Sequence, residues 1–207
     1  MLVVPPCAPA RIVVLASGTG SLLASLLEAA GDSGYPGEVV GLVADRDCRA
    51  VRIAAEAGLP ASVVRLGSHP DRAAWDTALT AAVAGLHPDL VVAAGFMKLL
   101  GPEFLGAYGG RVINAHPALL PAFPGARAVP DALEYGVAVT GSTVHLVDSG
   151  LDTGPILAQR AVPVELGDTE ETLHERIKVV ERRLLAEVVA DVARRGYTLN
   201  GRKVTLR

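Results

Sequence analysis

The chain has 207 residues, half of them apolar and only 4% aromatic, with 19 basic and 22 acidic side chains for a net charge of −3. That length suits one well-cored domain better than two, and a make-up rich in Ala, Val, Leu and Gly is that of an α/β domain, not of a disordered or fibrous chain. The acidic balance, with a pI near 5.9, offers no general attraction to nucleic acid or to an anionic membrane, so any anionic ligand needs a local device to hold it.

The opening M-L-V-V-P-P-C-A-P-A is apolar, lacks a positive n-region and is broken by prolines. It reads as a loose leader over residues 1–10, not as a signal peptide. Residues 11 to 16 (R-I-V-V-L-A) then form a continuous apolar run ending in S-G-T-G-S, and L-L-A-S-L-L-E-A-A has helical spacing up to Gly31. Strand, glycine turn and helix are the opening of a doubly wound, mostly parallel, Rossmann-like sheet. Glu38 to Ala44 is the second strand. Asp47 is placed to cap a helix over Arg49 to Ala57, closed by Gly58. Ser62 to Leu66 reads as the third strand, and Ser68 with Pro70 as the start of a helix running to Gly85.

Asp89 to Ala94 is the fourth strand, followed by G-F-M-K-L-L-G-P. Val112 and Ile113 open the fifth, which runs into Asn114 and His116. Pro130 fits only the first turn of a helix, which therefore starts there and ends near Gly136. Val137 to Val147 and Pro155 to Val164 are two more strands. Asp168 and Glu171 predict a capping box for a long amphipathic helix to about Arg195. Y-T-L-N-G-R-K-V closes the chain as an Asn-Gly hairpin. With no repeat, linker or low-complexity segment, one domain over residues 1–207 is expected. Cys7 and Cys48 stand far apart without C-x-x-C or clustered histidines, and read as free thiols of a reducing compartment. No apolar run reaches the roughly 18 residues of a membrane span. A cytoplasmic protein without a metal site is expected.

The chemistry gathers after Arg111. Asn114 and His116 lie two apart on an extended backbone and so point to one face. Pro117 keeps His116 extended, which sets the two Cα atoms about 6 to 7 Å apart at a rise of roughly 3.3 Å per residue. An amide donor and an imidazole then converge on one reacting atom. The glycine turn, the G-F-M-K-L-L loop and Asn114 to His116 all lie at carboxyl ends of strands, where open parallel sheets bind ligands. The turn S-G-T-G-S leads into a helix N-terminus suited to phosphate. It has no G-K-[ST], and Leu23 stands where a dinucleotide fingerprint needs glycine. By pattern alone G-F-M-K-L-L is core, and Lys178 with Glu181 an i, i+3 pair on a solvated face. His145 reads as a buried, hydrogen-bonded histidine, and the residues alone do not choose between Asp148 and Asp152.

N-A-H-P-A-L-L-P-A-F-P-G from Asn114, with G-S-T-V-H-L-V-D-S-G-L-D-T-G-P-I-L-A-Q from Gly141, resembles the folate-dependent formyltransferases. The closest resemblance is to those that act on glycinamide ribonucleotide in purine synthesis, and it covers roughly residues 11 to 185. It implies transfer of a formyl group from 10-formyltetrahydrofolate, as co-substrate, to the amine of that ribonucleotide, with no metal. It implies small-molecule substrates, no nucleic-acid or membrane partner, and a monomer or homodimer.

The same resemblance makes Asn114, His116 and Asp152 catalytic. Asn114 donates to the oxyanion, His116 adds a second donor when protonated, and Asp152, in the family's L-D-x-G-P, relays the departing proton. It puts Gly20, Ser21 and Leu22 on the phosphate, largely through main-chain groups, and Lys178 and Glu181 near the phosphate and ribose. Met97, Lys98, Leu99 and Leu100 are implied around the pterin, and Arg72 near the folate's carboxylate tail. The family commonly has asparagine at Thr19 and Leu22, histidine at Arg127 and arginine at Pro130, so the loop bordering the substrate is altered. A formyltetrahydrofolate hydrolase shares the Asn, His and Asp but carries an added amino-terminal domain, whereas about ten residues precede the first strand here. A non-catalytic nucleotide-binding module has no need of an oxyanion donor beside an acid.

Overall fold

The computed structural model describes all 207 residues. Its strands are β1 (Leu2–Val4), β2 (Ala10–Ala16), β3 (Gly37–Ala44), β4 (Ala61–Val63), β5 (Leu90–Ala93), β6 (Val112–His116), β7 (Val139–Leu146), β8 (Ile156–Pro163), β9 (Tyr197–Asn200) and β10 (Lys203–Leu206). Its helices are α1 (Ser21–Ala30), α2 (Arg49–Glu56), α3 (Arg72–Ala84), α4 (Pro102–Tyr108), α5 (Ala128–Tyr135) and α6 (Glu170–Arg195). None is long and apolar enough to cross a membrane.

Seven strands form one sheet in the order β4-β3-β2-β5-β6-β7-β8. Pairing is parallel from β4 to β6 and antiparallel where β7 meets β6 and β8. The chain winds outward from β2 to β4, then returns to place β5 on the other side of β2. That reversal opens a crevice at the carboxyl ends of β2 and β5. Both faces of the centre are covered, which is why β2 is apolar at every inner position instead of alternating. Ile12, Val14 and Ala16 pack with Leu23 of α1, Ala50 of α2 and Leu185 of α6. Val13 and Leu15, pointing the other way, pack with Trp75 and Leu79 of α3 and Phe104 of α4.

The expected strands and long helices form, but several helix starts differ. Asp47 does not cap α2. Its carboxylate pairs with Arg65, and Cys48 occupies the cap without a side-chain bond. The third strand stops at Val63, and Leu66–Ser68 is a 3-10 turn. Pro70 holds His69 extended, so α3 starts only after it. Asp71, not Ser68, is its cap, accepting from the Ala74 N–H at 2.8 Å. At α6 the capping box is Thr169 with Thr172, because Asp168 is taken by Arg176 at 2.6 Å. Helix α5 begins at Ala128, which leaves Pro130 inside its first turn. Residues 2–4, expected as a loose leader, pair antiparallel with β9, and with the β9–β10 hairpin make a separate three-stranded sheet. Asn200 pairs with Lys203, so the two loop residues are Gly201 and Arg202, one place later than Asn-Gly.

Helix α4 has no counterpart in the sequence reading, being only seven residues long. Its cap position is Gly101, which has no side chain to accept the free N–H groups. The buried carboxylate of Asp76, on α3, does so from outside, taking Gly101 N–H at 3.0 Å and Glu103 N–H at 2.9 Å. A Cβ at Gly101 would collide with that carboxylate, so the glycine is the condition for the cap. Replacing Asp76 with Ala leaves these donors buried and unpaired, and a loss of about 3 kcal/mol is expected from urea unfolding, with Asp76→Asn losing less.

Candidate active site

A cavity of about 510 Å³ opens where the strand order reverses. The segment after β2 (Gly18 to Leu22), that after β5 (Gly95 to Leu100), the end of β6 (Asn114 to Pro117) and the loop after β7 all line it. Helix α6 closes the remaining side.

The polar centre is built by register. Asn114 on β6 stands directly opposite His145 on β7, and both side chains project to the face opposite Ile113 and Val144, which are in the larger core. His145 is buried, and its Nδ1 lies 2.9 Å from the Leu146 carbonyl. A carbonyl only accepts, so Nδ1 carries the hydrogen. Burial, only partly offset by the Leu146 carbonyl, holds the His145 pKa below its ordinary value, which favours the neutral ring. Its Nε2 is then an acceptor, 3.0 Å from Asn114 Nδ2. This network assigns the amide: Nδ2, not Oδ1, faces His145, and its second N–H is left for the cavity.

His116 is also buried. Its Nε2 donates to the Phe123 carbonyl at 2.8 Å, and its Nδ1 faces Asp152 Oδ2 at 3.4 Å. Both ring nitrogens are thus engaged, and neither points freely at a ligand. Asp152 has a left-handed backbone (φ 52°) and accepts the Gly125 N–H at 2.8 Å. Its Oδ1 is 3.7 Å from His145 Nε2. Asp148 is instead spent inside its own turn, accepting from Gly150 N–H at 3.0 Å and the Thr153 hydroxyl at 2.6 Å. Geometry therefore separates the two aspartates that spacing left equal: Asp152 meets both histidines, and Asp148 shapes the loop.

At the other end Gly20 caps α1 with φ 76°. A Cβ there would come within 2.8 Å of the Ala50 Cα, so glycine is required both by the backbone conformation and by the approach of α2. The first in-helix bond is from Ala24 N–H to the Gly20 carbonyl, so the N–H groups of Ser21 and Leu22 have no partner in the helix. The Leu22 side chain is in the core, which leaves only its main chain for a ligand. Facing this turn is a stripe of α6: His174, Lys178 and Glu181 all line the cavity, at the i, i+4, i+7 spacing of one helical face. His174 was not picked out from the sequence, although that spacing was available. Lys178 pairs with Glu175 at 2.7 Å. Glu181 is buried rather than on a solvated face.

Met97 and Leu99 line the cavity with exposed side chains, and Lys98 and Leu100 line it as well. Lys98 Nζ is 3.1 Å from the carboxylate of Asp45. Arg72 does not line the cavity; its guanidinium lies over the Trp75 ring at 5.3 Å and donates to the Leu99 carbonyl. Arg127 lies outside the cavity too, paired with Asp131 at 3.1 Å.

A sequence model described as formyl transferase matches residues 10–189. The chain belongs to the formyl transferase family. It is 66% identical over 204 residues to phosphoribosylglycinamide formyltransferase of Mycobacterium tuberculosis, covering 98% of this chain and 94% of that one. The solved structure of glycinamide ribonucleotide transformylase 1 from Symbiobacterium toebii superposes with a TM-score of 0.93 at 41% identity, covering 95% and 93% of the two chains. A formyltetrahydrofolate deformylase from Pseudomonas syringae pv. tomato matches at 26% identity and TM-score 0.87, with 95% of this chain and 65% of that chain covered. In this formyl transferase the α/β sheet expected from the sequence carries the cavity at the expected strand ends.

Burial pushes the Glu181 carboxyl up to about 7, against the opposing charges of Lys178 and Arg182. Below about pH 4.5 it is protonated folded or unfolded, and adds no pH dependence. As pH rises from there towards the folded value of about 7, only the unfolded chain gains by ionising, so stability falls across that window and levels off above it. Glu181→Gln lacks this loss. It should match the parent near pH 4.5 and exceed it at pH 8 by on the order of 3 kcal/mol in denaturant titrations.

Proposed function

We propose that the chain transfers the formyl group of 10-formyltetrahydrofolate to the primary amine of glycinamide ribonucleotide, a step of purine biosynthesis. The observation that carries this reading is the free N–H of Asn114, fixed by His145 beside Asp152, in a cavity whose other end is the open N-terminus of α1. The ribonucleotide's phosphate sits on the main-chain N–H groups of Gly20, Ser21 and Leu22, where the helix dipole and unpaired donors favour an anion. Lys178 and His174 flank it, and Glu181 lies one turn on, at the ribose. The folate lies against Met97, Lys98, Leu99 and Leu100, whose exposed Met97 and Leu99 side chains suit an apolar ring system. Arg72, exposed at the cavity's outer side, gives one guanidinium nitrogen to the Leu99 carbonyl and keeps its other donors for the folate's carboxylate tail.

Attack of the amine on the formyl carbon gives a tetrahedral centre with a developing oxyanion and a nitrogen that must lose a proton. The Asn114 N–H meets the oxyanion, and preorganisation by His145 means that no amide rotation is needed as charge develops. Asp152 takes the proton, directly or through water, and collapse of the tetrahedral centre breaks the bond from the formyl carbon to N10, which receives a proton and leaves as tetrahydrofolate. His116, with Nε2–H given to the Phe123 carbonyl and Nδ1 facing Asp152, holds that carboxylate in its protonated form, the one with a hydrogen on Nδ1. The alternative, release of the formyl group to water, has as its support the deformylase likeness, which is lower in identity and spans 65% of that chain.

Deformylation of 10-formyltetrahydrofolate, followed by absorbance, separates the two: turnover is expected only when glycinamide ribonucleotide is present, and equal turnover without it would make the chain a hydrolase. Asn114→Ala should lower kcat by about 10² to 10³, and Asp152→Asn by about 10² to 10⁴, with folate binding kept in both. Near-parental kcat in both variants would sink the assignment. The His174 pKa lies below its usual value, through burial first and Lys178 second, which favours a neutral ring at neutral pH. A phosphate dianion favours the cation, so binding takes up a proton and tightens as pH falls from 8 to 6. His174→Asn should flatten that slope in calorimetric titrations with the ribonucleotide.

A further inference from the structure

Asp45 follows the last residue of β3 and does not line the cavity, yet its side chain is only 1% exposed. A carboxylate that deep is costly unless donors surround it, and four donor groups do. Arg46 gives it two bonds, from Nε at 3.1 Å and from a terminal nitrogen at 2.9 Å. Lys98 Nζ stands at 3.1 Å, and the Ser17 hydroxyl favours the charged form as well. Burial opposes ionisation here, but the Arg46, Ser17 and Lys98 donors outweigh it and hold the carboxyl below its ordinary value.

The Ser17 hydroxyl has one hydrogen. With that hydrogen on Asp45, its oxygen accepts the Met97 N–H at 2.8 Å. One carboxylate thereby fixes two successive residues of the segment after β5, Met97 through Ser17 and Lys98 directly. The flanking residues are held too: Phe96 stacks on Trp75 with ring centroids 6.4 Å apart, and Gly101 N–H is on Asp76. Phe96, Lys98 and Leu100 are anchored inward, and the side chains of Met97 and Leu99, 62% and 51% exposed, are presented to the cavity.

We infer that Asp45 is a positioning residue for the folate-binding wall, acting through Ser17 and Lys98, and that Lys98 serves there as a strut rather than as a charge contact to the folate. Naming that wall's ligand rests on the function proposed above; the positioning itself does not. The lysine's ammonium is held on Asp45, whose single charge it shares with Arg46, and the wall offers the ligand main-chain groups and two apolar side chains. The Asp45 side chain does not reach the cavity, and any effect of changing it on folate must pass through residues 97 and 98.

The test uses Asp45→Asn, which keeps shape and removes charge, and Ser17→Ala, which removes only the relay to Met97. In the ligand-free protein, amide hydrogen exchange over residues 96–100 should quicken about tenfold in both variants while the β2 and β6 amides keep their protection. The KM for 10-formyltetrahydrofolate should rise about tenfold, with the KM for glycinamide ribonucleotide and kcat within about threefold of the parent. Lys98→Met combined with Asp45→Asn should raise the folate KM no further than either change alone. Unchanged exchange over 96–100, a parallel rise in both KM values, or additive effects in the double variant would overturn the inference. If the parent protein turns over neither substrate, the proposed function falls, and the exchange measurement alone decides whether Asp45 positions the segment.

Discussion

The geometry of the site depends on one cross-strand pair. Asn114 and His145 face each other only because β7 returns antiparallel to β6 in a register that sets 114 against 145. A slip of one residue would send one of them into the larger core. The pair does more than bring polar groups together. His145 is buried with one nitrogen on a carbonyl of its own strand, so its other nitrogen is an acceptor, and an acceptor there decides which way the Asn114 amide turns. An amide held in one orientation is what a developing oxyanion needs, and the proposed chemistry follows from a tautomer set 31 residues away in the chain.

The same reasoning covers the carboxylates of this fold, each assigned by what surrounds it. Asp76 is buried, and its neighbours are three N–H groups at the start of α4. Asp148 is closed on its own turn. Asp152 accepts one N–H from Gly125 and lies beside two imidazoles across the cavity. Asp45 collects an arginine, a lysine and a hydroxyl. Only Asp152 has its carboxylate in the cavity beside the histidines, and only it is proposed to move a proton. The others hold backbone in place, since a buried carboxylate keeps its charge by binding donors and so fixes whatever carries them.

Much of the architecture was legible in the chain because its signals are local. The continuous apolar run of residues 11–16, the glycine turn and the helical spacing up to Gly31 produced β2 and α1 nearly as read. Asn114 and His116 were placed on one face by the two-residue period alone. The caps were read less well, since Asp47, Ser68 and Asp168 are all good cap residues in isolation. Arg65 and Arg176 claim two of them, and Pro70 displaces the third. Helix α4 was missed for a related reason: its capping group comes from α3, 25 residues earlier.

What the sequence by itself determined was therefore the order and type of the main elements, the strand ends at which ligands bind, and the two long motifs that tie the chain to formyl transfer. Those depend on spacings of two to seven residues, which backbone geometry translates directly into faces. Tertiary structure alone showed Asp152 beside both histidines and Asp148 closed on its own turn, turned Lys98 onto Asp45, set Arg72 outside the cavity lining and brought His174 into it. Each of these is a contest among side chains for donors or space, often between residues far apart in sequence, and its outcome is set by strand order and register rather than by any local pattern.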